Sequence, residues 1–117
     1  VRLTATIATF AAISGIAPLS STARTGGGST YYTQARTAVC HYFGVYCDQA
    51  MRVVGCETGH TYYPWSRNGQ YLGIFQMGST ERATYGHGGD VWSQARAAWR
   101  YFVASGRDWS PWACKPW

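Results

Sequence analysis

The spacing of apolar and polar positions divides this chain into short helices around one turn-rich segment. Residues 33–43 carry a helical pattern that stops at Gly44, a residue suited to the left-handed end of a helix. Asp48 is placed to cap a second helix, in which Ala50, Val53 and Val54 supply an apolar face. Gly55 weakens its last turn and Glu57 closes it. Residues 61–75 have strand character, with Tyr62, Tyr63 and Trp65 before Asn68-Gly69, then Tyr71 and Ile74 after it. Asn-Gly predicts a two-residue hairpin turn, because both residues tolerate positive φ. A short helix capped at Ser79 and ending at Gly86 follows, then a His87-Gly88-Gly89 loop. The last helix has the fullest pattern. Asp90 caps it, Val91, Ala95, Ala98, Trp99, Phe102 and Val103 recur at helical spacing, and Gly106 stops it. The elements predict a mainly α (α+β) domain with one small β-hairpin between helices, and no internal repeat.

Ahead of them runs an apolar stretch to Leu19, with Arg2 as its one early charge and no other before Arg24. Pro18 interrupts it, and Ser21-Thr22-Ala23 supplies the small residues a signal peptidase requires. Residues 1–23 therefore read as a secretory leader cut near Ala23. Thr, Gly and Pro dilute the run too much for a membrane span, so stable membrane insertion is not expected. Residues 24–32, with Gly26-Gly27-Gly28-Ser29-Thr30, read as a flexible Gly/Ser-rich linker, leaving 33–117 as the folded domain.

A domain that small has a marginal core and needs staples. The four cysteines fit that need, since export would place them in an oxidising compartment. Three connectivities are open; Cys40 and Cys47 are near enough in sequence to close a short loop. Metal binding is not expected. There is no Cys-x-x-Cys, and His41, His60 and His87 lack ligand spacing.

Ten Lys and Arg against five Asp and Glu give a net charge of +5 and a pI near 9.2. Such a surface favours anionic partners. Nothing in the chain has the form of a helix-turn-helix, a finger or a basic stripe, so nucleic acid is not an expected partner. Wall polymers, with peptide carboxylates and phosphates, are anionic too. The lack of a strongly basic amphipathic helix argues against action on membranes. Nineteen residues are aromatic. Those around the hairpin, Tyr62, Tyr63, Trp65 and Tyr71, either cover the C–H faces of sugar rings or simply fill the domain.

The candidate chemistry lies in Cys56-Glu57-Thr58-Gly59 and, beyond the turn, Gly73-Ile74-Phe75-Gln76. A carboxyl at a helix C-terminus faces the negative end of the dipole, and apolar surroundings desolvate its charge. Both effects hold its proton, and an acid so held can protonate the leaving oxygen of a glycosidic bond. The plain alternative is a solvated helix-end Glu. Asp90 reads as a cap, Asp108 lies in the tail and Asp48 sits at the far end of the helix, so no second catalytic acid is evident. Gln76 ends an apolar triplet, which draws its amide toward the interior or a cleft, where it needs partners.

Glu57-Thr58-Gly59 resembles the E-S-G start of the catalytic motif of lytic transglycosylases of the soluble (SLT) type, with Thr for Ser. Gly73-Ile74-Phe75-Gln76-Met77 resembles their G-L-[MF]-Q motif. Cys56 directly before the Glu, with Trp109-Ser110-Pro111-Trp112-Ala113-Cys114 near the end, resembles the resuscitation-promoting-factor branch. The resemblance covers about residues 48–114. It implies a lysozyme-like fold with a cleft between helices and hairpin, and a Cys56–Cys114 bridge beside Cys40–Cys47. It also implies an exported, monomeric, cofactor-independent enzyme of the cell wall that acts on peptidoglycan glycan strands. In that reading Glu57 is the general acid and base at the bond from N-acetylmuramic acid to N-acetylglucosamine. Thr58, Tyr63, Trp65, Tyr71 and Gln76 contact the substrate, as does Tyr85, which with Ala83 answers to the family's Ala-Tyr pair with one residue inserted. A non-catalytic peptidoglycan- or chitin-binding module is the alternative.

Overall fold

In the computed structural model, which describes the backbone of residues 27–117 and side chains from residue 30, Ala35, Ala38, Val39 and Phe43 are buried along one face of helix α1 (Gly27–Phe43). Residues Tyr31–Trp117 form one compact unit. The expected leader, residues 1–23, lies outside the described residues, as do 24–26 of the linker. Residues 27–32, expected as linker, are helical. Tyr31 meets Tyr63 edge-on at 4.6 Å and Tyr32 meets Tyr62 at 4.9 Å, contacts that extend α1 beyond its own local pattern.

Gly44, at φ +52, ends α1 and opens a 3₁₀ turn (Gly44–Tyr46) into α2 (Cys47–Glu57). The Cys40–Cys47 disulfide clamps this corner, with Cα atoms 4.7 Å apart. The 3₁₀ turn starts α2 earlier than expected, so Tyr46 occupies the cap position and Asp48 falls in the first turn. There Asp48 pairs with Arg36 of α1 at 3.5 Å. Both side chains are exposed, which limits that pair to at most about 1 kcal/mol.

Strand β1 (Arg67–Asn68) pairs antiparallel with β2 (Tyr71–Leu72), with Arg67 opposite Leu72 and Asn68 opposite Tyr71. The loop is therefore Gly69-Gln70, one residue beyond the expected Asn68-Gly69. Gly69, at φ +62, alone supplies the left-handed residue, while Asn68 joins the ladder. The long strand-like segment contracts to these pairs and a Leu72–Met77 bridge, because the chain turns back at Gly73.

Gly73 is held at φ +91 against α4 (Val91–Ala104) and the loop before it. Gln94 of α4 is fully buried; its Oε1 accepts from Ile74 N–H at 2.9 Å and its Nε2 donates to the carbonyls of Pro64 and Gly88. One amide thus satisfies three backbone groups, two of them buried, and pins the hairpin. A Cβ on Gly73 would lie 2.6 Å from His87 Nε2 and 2.7 Å from Gln94 Oε1. Gly73→Ala should therefore destabilise the domain by about 2 kcal/mol or more, combining overpacking with left-handed strain. Urea denaturation tests this, and an unchanged midpoint would count against the packing described. His87 itself is kept neutral: burial first, then the Arg82 charge, lowers its pKa to about 4.

Helix α3 (Ser79–Tyr85) has Gly78, not Ser79, at its cap position, because Ser79 binds the Gln70 amide oxygen instead. Arg82 donates to the carbonyls of Gln70 and Met77, tying α3 to the hairpin. Gly86 at φ +80 ends the helix as expected, and Asp90 caps α4 by accepting from Ser93 N–H at 3.0 Å.

The core centres on Phe43, stacked with Phe75 at 5.4 Å and with Trp109 at 5.7 Å. Trp109 and Trp112 belong to this core. Their indole N–H groups donate to Gln49 and to the Phe75 carbonyl. The Cys56–Cys114 bridge, with Cα atoms 5.9 Å apart, then fastens the C-terminal segment to the end of α2. The described residues are mainly helical, with one small antiparallel hairpin and two disulfides, as the pattern and the cysteines predict. Among the described residues no helix is long and apolar enough to cross a membrane.

Candidate active site

Glu57 is the last residue of α2, and the chain reverses immediately after it through Gly59 at φ +61 and His60 at φ +64. Thr58 makes this reversal. Its hydroxyl donates to the Val54 carbonyl at 2.8 Å and accepts from Tyr62 N–H at 3.1 Å. Being 6 % exposed, Thr58 shapes the end of α2, and it does not line the cavity where its substrate contact was expected.

The Glu57 carboxyl is half-buried, and its Oε2 accepts from Cys114 N–H at 3.1 Å. Burial raises its pKa above the ordinary carboxyl value, against the opposing pull of the Cys114 N–H, the Lys115 charge and the Ala113 N–H. The helix C-terminus acts in the same direction as burial. Such a group retains its proton to higher pH than a free Glu.

Glu57 opens on a cavity of about 360 Å³, within the range of small-ligand sites. One wall is the hairpin, through Asn68 and Tyr71; another is Gln76, Met77 and Gly78. Glu81 of α3 and Tyr101 of α4 form a third side, and Pro111, Trp112 and Ala113 of the stapled C-terminal segment a fourth. Of the residues expected at the substrate, Glu57, Tyr71 and Gln76 come together here. Gln76, at φ +48, donates its amide to the carbonyls of Ser66 at 2.7 Å and Gly73 at 2.9 Å. It therefore holds the hairpin's return while lining the cavity.

The others are elsewhere. Tyr63 and Trp65 pack edge-to-face on each other and on Tyr31, as an exposed aromatic group that does not line the cavity. Tyr85 stacks on Tyr101 at 5.3 Å and does not line the cavity either; it buttresses a residue that does.

Sequence reasoning missed Asn68, Glu81 and Tyr101. Glu81 lines the same cavity as Glu57, an acid outside the Asp48, Asp90 and Asp108 weighed from the sequence. Its first-turn position on a short helix is where acids commonly stand, so only the folding-back of α3 singles it out. Tyr101 follows the polar Arg100 on α4, and its place in the sequence does not single it out. Burial, then the charges of Glu81, Tyr85 and Tyr71, raise its hydroxyl's pKa.

No family model matches this chain, and no curated protein or solved structure matches it.

Proposed function

We propose that this protein is an exported enzyme that cleaves peptidoglycan glycan strands, with Glu57 as general acid and then base. The observation that carries the reading is the half-buried, proton-retaining Glu57 facing a cavity lined by Tyr71, Gln76 and Tyr101. The motif resemblance to lytic transglycosylases and the lysozyme-like plan it implies support the same assignment, as do the two disulfides for an oxidising compartment.

In the proposed reaction Glu57 gives its proton to the oxygen joining N-acetylmuramic acid to N-acetylglucosamine as that bond to C1 breaks. The substrate's 2-acetamido oxygen stabilises the positive charge at C1. The ionised Glu57 then takes the proton of the attacking group, which is the sugar's own 6-hydroxyl, giving a 1,6-anhydro end, or water, giving a reducing end. Basic residues on the surface favour adsorption to the anionic wall.

The test is incubation of the oxidised domain with purified peptidoglycan across pH 4 to 9, with mass analysis of released products. The raised Glu57 pKa means that its proton is present at low pH and lost as pH rises through the folded value. Cleavage per bound enzyme should thus be highest in mildly acidic solution and fall on the alkaline side, while sedimentation with the wall changes little. Cleavage that merely tracks the bound fraction would remove Glu57 as the titrating acid.

A binding module without catalysis is the second reading, favoured by the exposed Tyr63 and Trp65 outside the cavity. It predicts wall sedimentation with no released product at any pH.

A further inference from the structure

Glu81 is a half-buried carboxylate lining the cavity on which Glu57 opens, and no side-chain contact of the fold uses it. Among the described residues no hydrogen bond or ion pair engages its side chain, although Arg82 is its neighbour in sequence. Arg82 instead spends its guanidinium on the carbonyls of Gln70 and Met77. Its carboxylate is therefore left open to whatever enters the cavity.

Its placement is supported from several sides. The carboxylate folds back over Gly78, where a side-chain Cβ would come within 2.7 Å of Glu81 Oε1 and 3.5 Å of the Tyr71 ring. Tyr101, near enough to feel the Glu81 charge, lines the same side. Glu57 ends one helix and Glu81 lies in the first turn of another, so two separate elements bring the acids to one cavity.

We infer that Glu81 is a second catalytic carboxylate, which activates the water that attacks C1 while Glu57 protonates the departing oxygen. The inference rests on the glycan-cleaving reading above, selects its hydrolytic branch, and there gives Glu81 the base role that the reading above gave to Glu57. Glu57 delivers its proton to the bridging oxygen as the bond to C1 breaks. Water's oxygen bonds to C1 and its proton passes to the Glu81 carboxylate. Exchange with solvent then reprotonates Glu57 and deprotonates Glu81, restoring the starting state. Two carboxyls flanking one scissile bond, one as acid and one as base toward water, suffice for glycoside hydrolysis.

The experiment compares wild type, Glu57→Gln, Glu81→Gln and Glu81→Ala on purified glycan strands, with product masses and steady-state kinetics. Wild type should release reducing ends. Glu81→Gln should lower kcat by about 100-fold or more with KM little changed, the effect of losing a general base. Added azide should restore cleavage to Glu81→Ala by replacing water, and the product should be a glycosyl azide. Anhydro ends from wild type, a change in KM alone, or no azide product would each overturn the assignment. If wild type releases reducing ends and Glu57→Gln is inactive while Glu81→Gln is unaffected, the glycan-cleaving reading stands and only the role of Glu81 falls. Full lysis by Glu57→Gln, or no release by wild type, removes that reading and this one with it.

Discussion

Glu57→Gln should abolish wall lysis, by about 100-fold or more, while leaving the domain folded. Gln matches Glu in volume and keeps an oxygen that can accept from Cys114 N–H, the contact that Glu57 Oε2 makes at 3.1 Å. It lacks only the transferable proton. Stability offers an independent check. Burial raises the Glu57 pKa in the folded state, so its carboxyl supports the fold at low pH and opposes it once pH exceeds the folded value. At neutral pH the Gln variant should therefore have a thermal midpoint equal to or above that of wild type, and the difference should vanish in acid. A variant that lyses walls at near the wild-type rate would end the assignment. A variant with a midpoint well below wild type at neutral pH would show that Glu57 is structural.

Removing the Cys56–Cys114 bridge, as the double Ser variant or by reduction, should cost both stability and activity. Its closure spans 58 residues, worth about 4 kcal/mol by loop-closure entropy. The Cys40–Cys47 bridge closes only 7, worth about 2.5 kcal/mol on the same argument. The larger difference is functional. Cys114 N–H binds the Glu57 carboxyl, and Pro111, Trp112 and Ala113 form a wall of the cavity. Releasing the C-terminal segment would free that wall and hydrate Glu57, weakening the burial that holds its proton. Activity should fall below what unfolding explains, measured as lysis per folded molecule beside the Cys40/Cys47 double variant. Equal specific activity in the two variants would show that the C-terminal wall plays no part.

The one-dimensional pattern was sufficient where a single residue decides a local event. Asp90 caps α4 because its side chain needs only the amide three residues on. Gly44, Gly86 and Gly106 all take positive φ at helix ends, where glycine carries no Cβ penalty. Glu57 was legible for a similar reason, since its helix-end position and its neighbours are adjacent in the chain.

Events that depend on distant partners were not legible. The extension of α1 through residues 27–32 depends on Tyr31 and Tyr32 meeting rings of the later loop. The hairpin turn moved to Gly69-Gln70 because Gly73 and the buried Gln94 set its register. Thr58 faces inward since its hydroxyl joins α2 to the Tyr62 backbone, a contact no motif records.

The division is the same in the site. Sequence alone singled out Glu57 and Gln76, which the structure places on one cavity, and the helices that carry the frame. Only the tertiary structure decided which polar groups share the cavity. Glu81 and Tyr101 arrive from separate helices, and Trp112 and Ala113 from a segment stapled back by Cys56–Cys114. Tyr63 and Trp65, adjacent to the hairpin in sequence, are instead drawn into an exposed group with Tyr31. Proximity along the chain is set by covalent bonds; proximity around a cavity is set by packing of residues far apart, and sequence spacing carries little of that information.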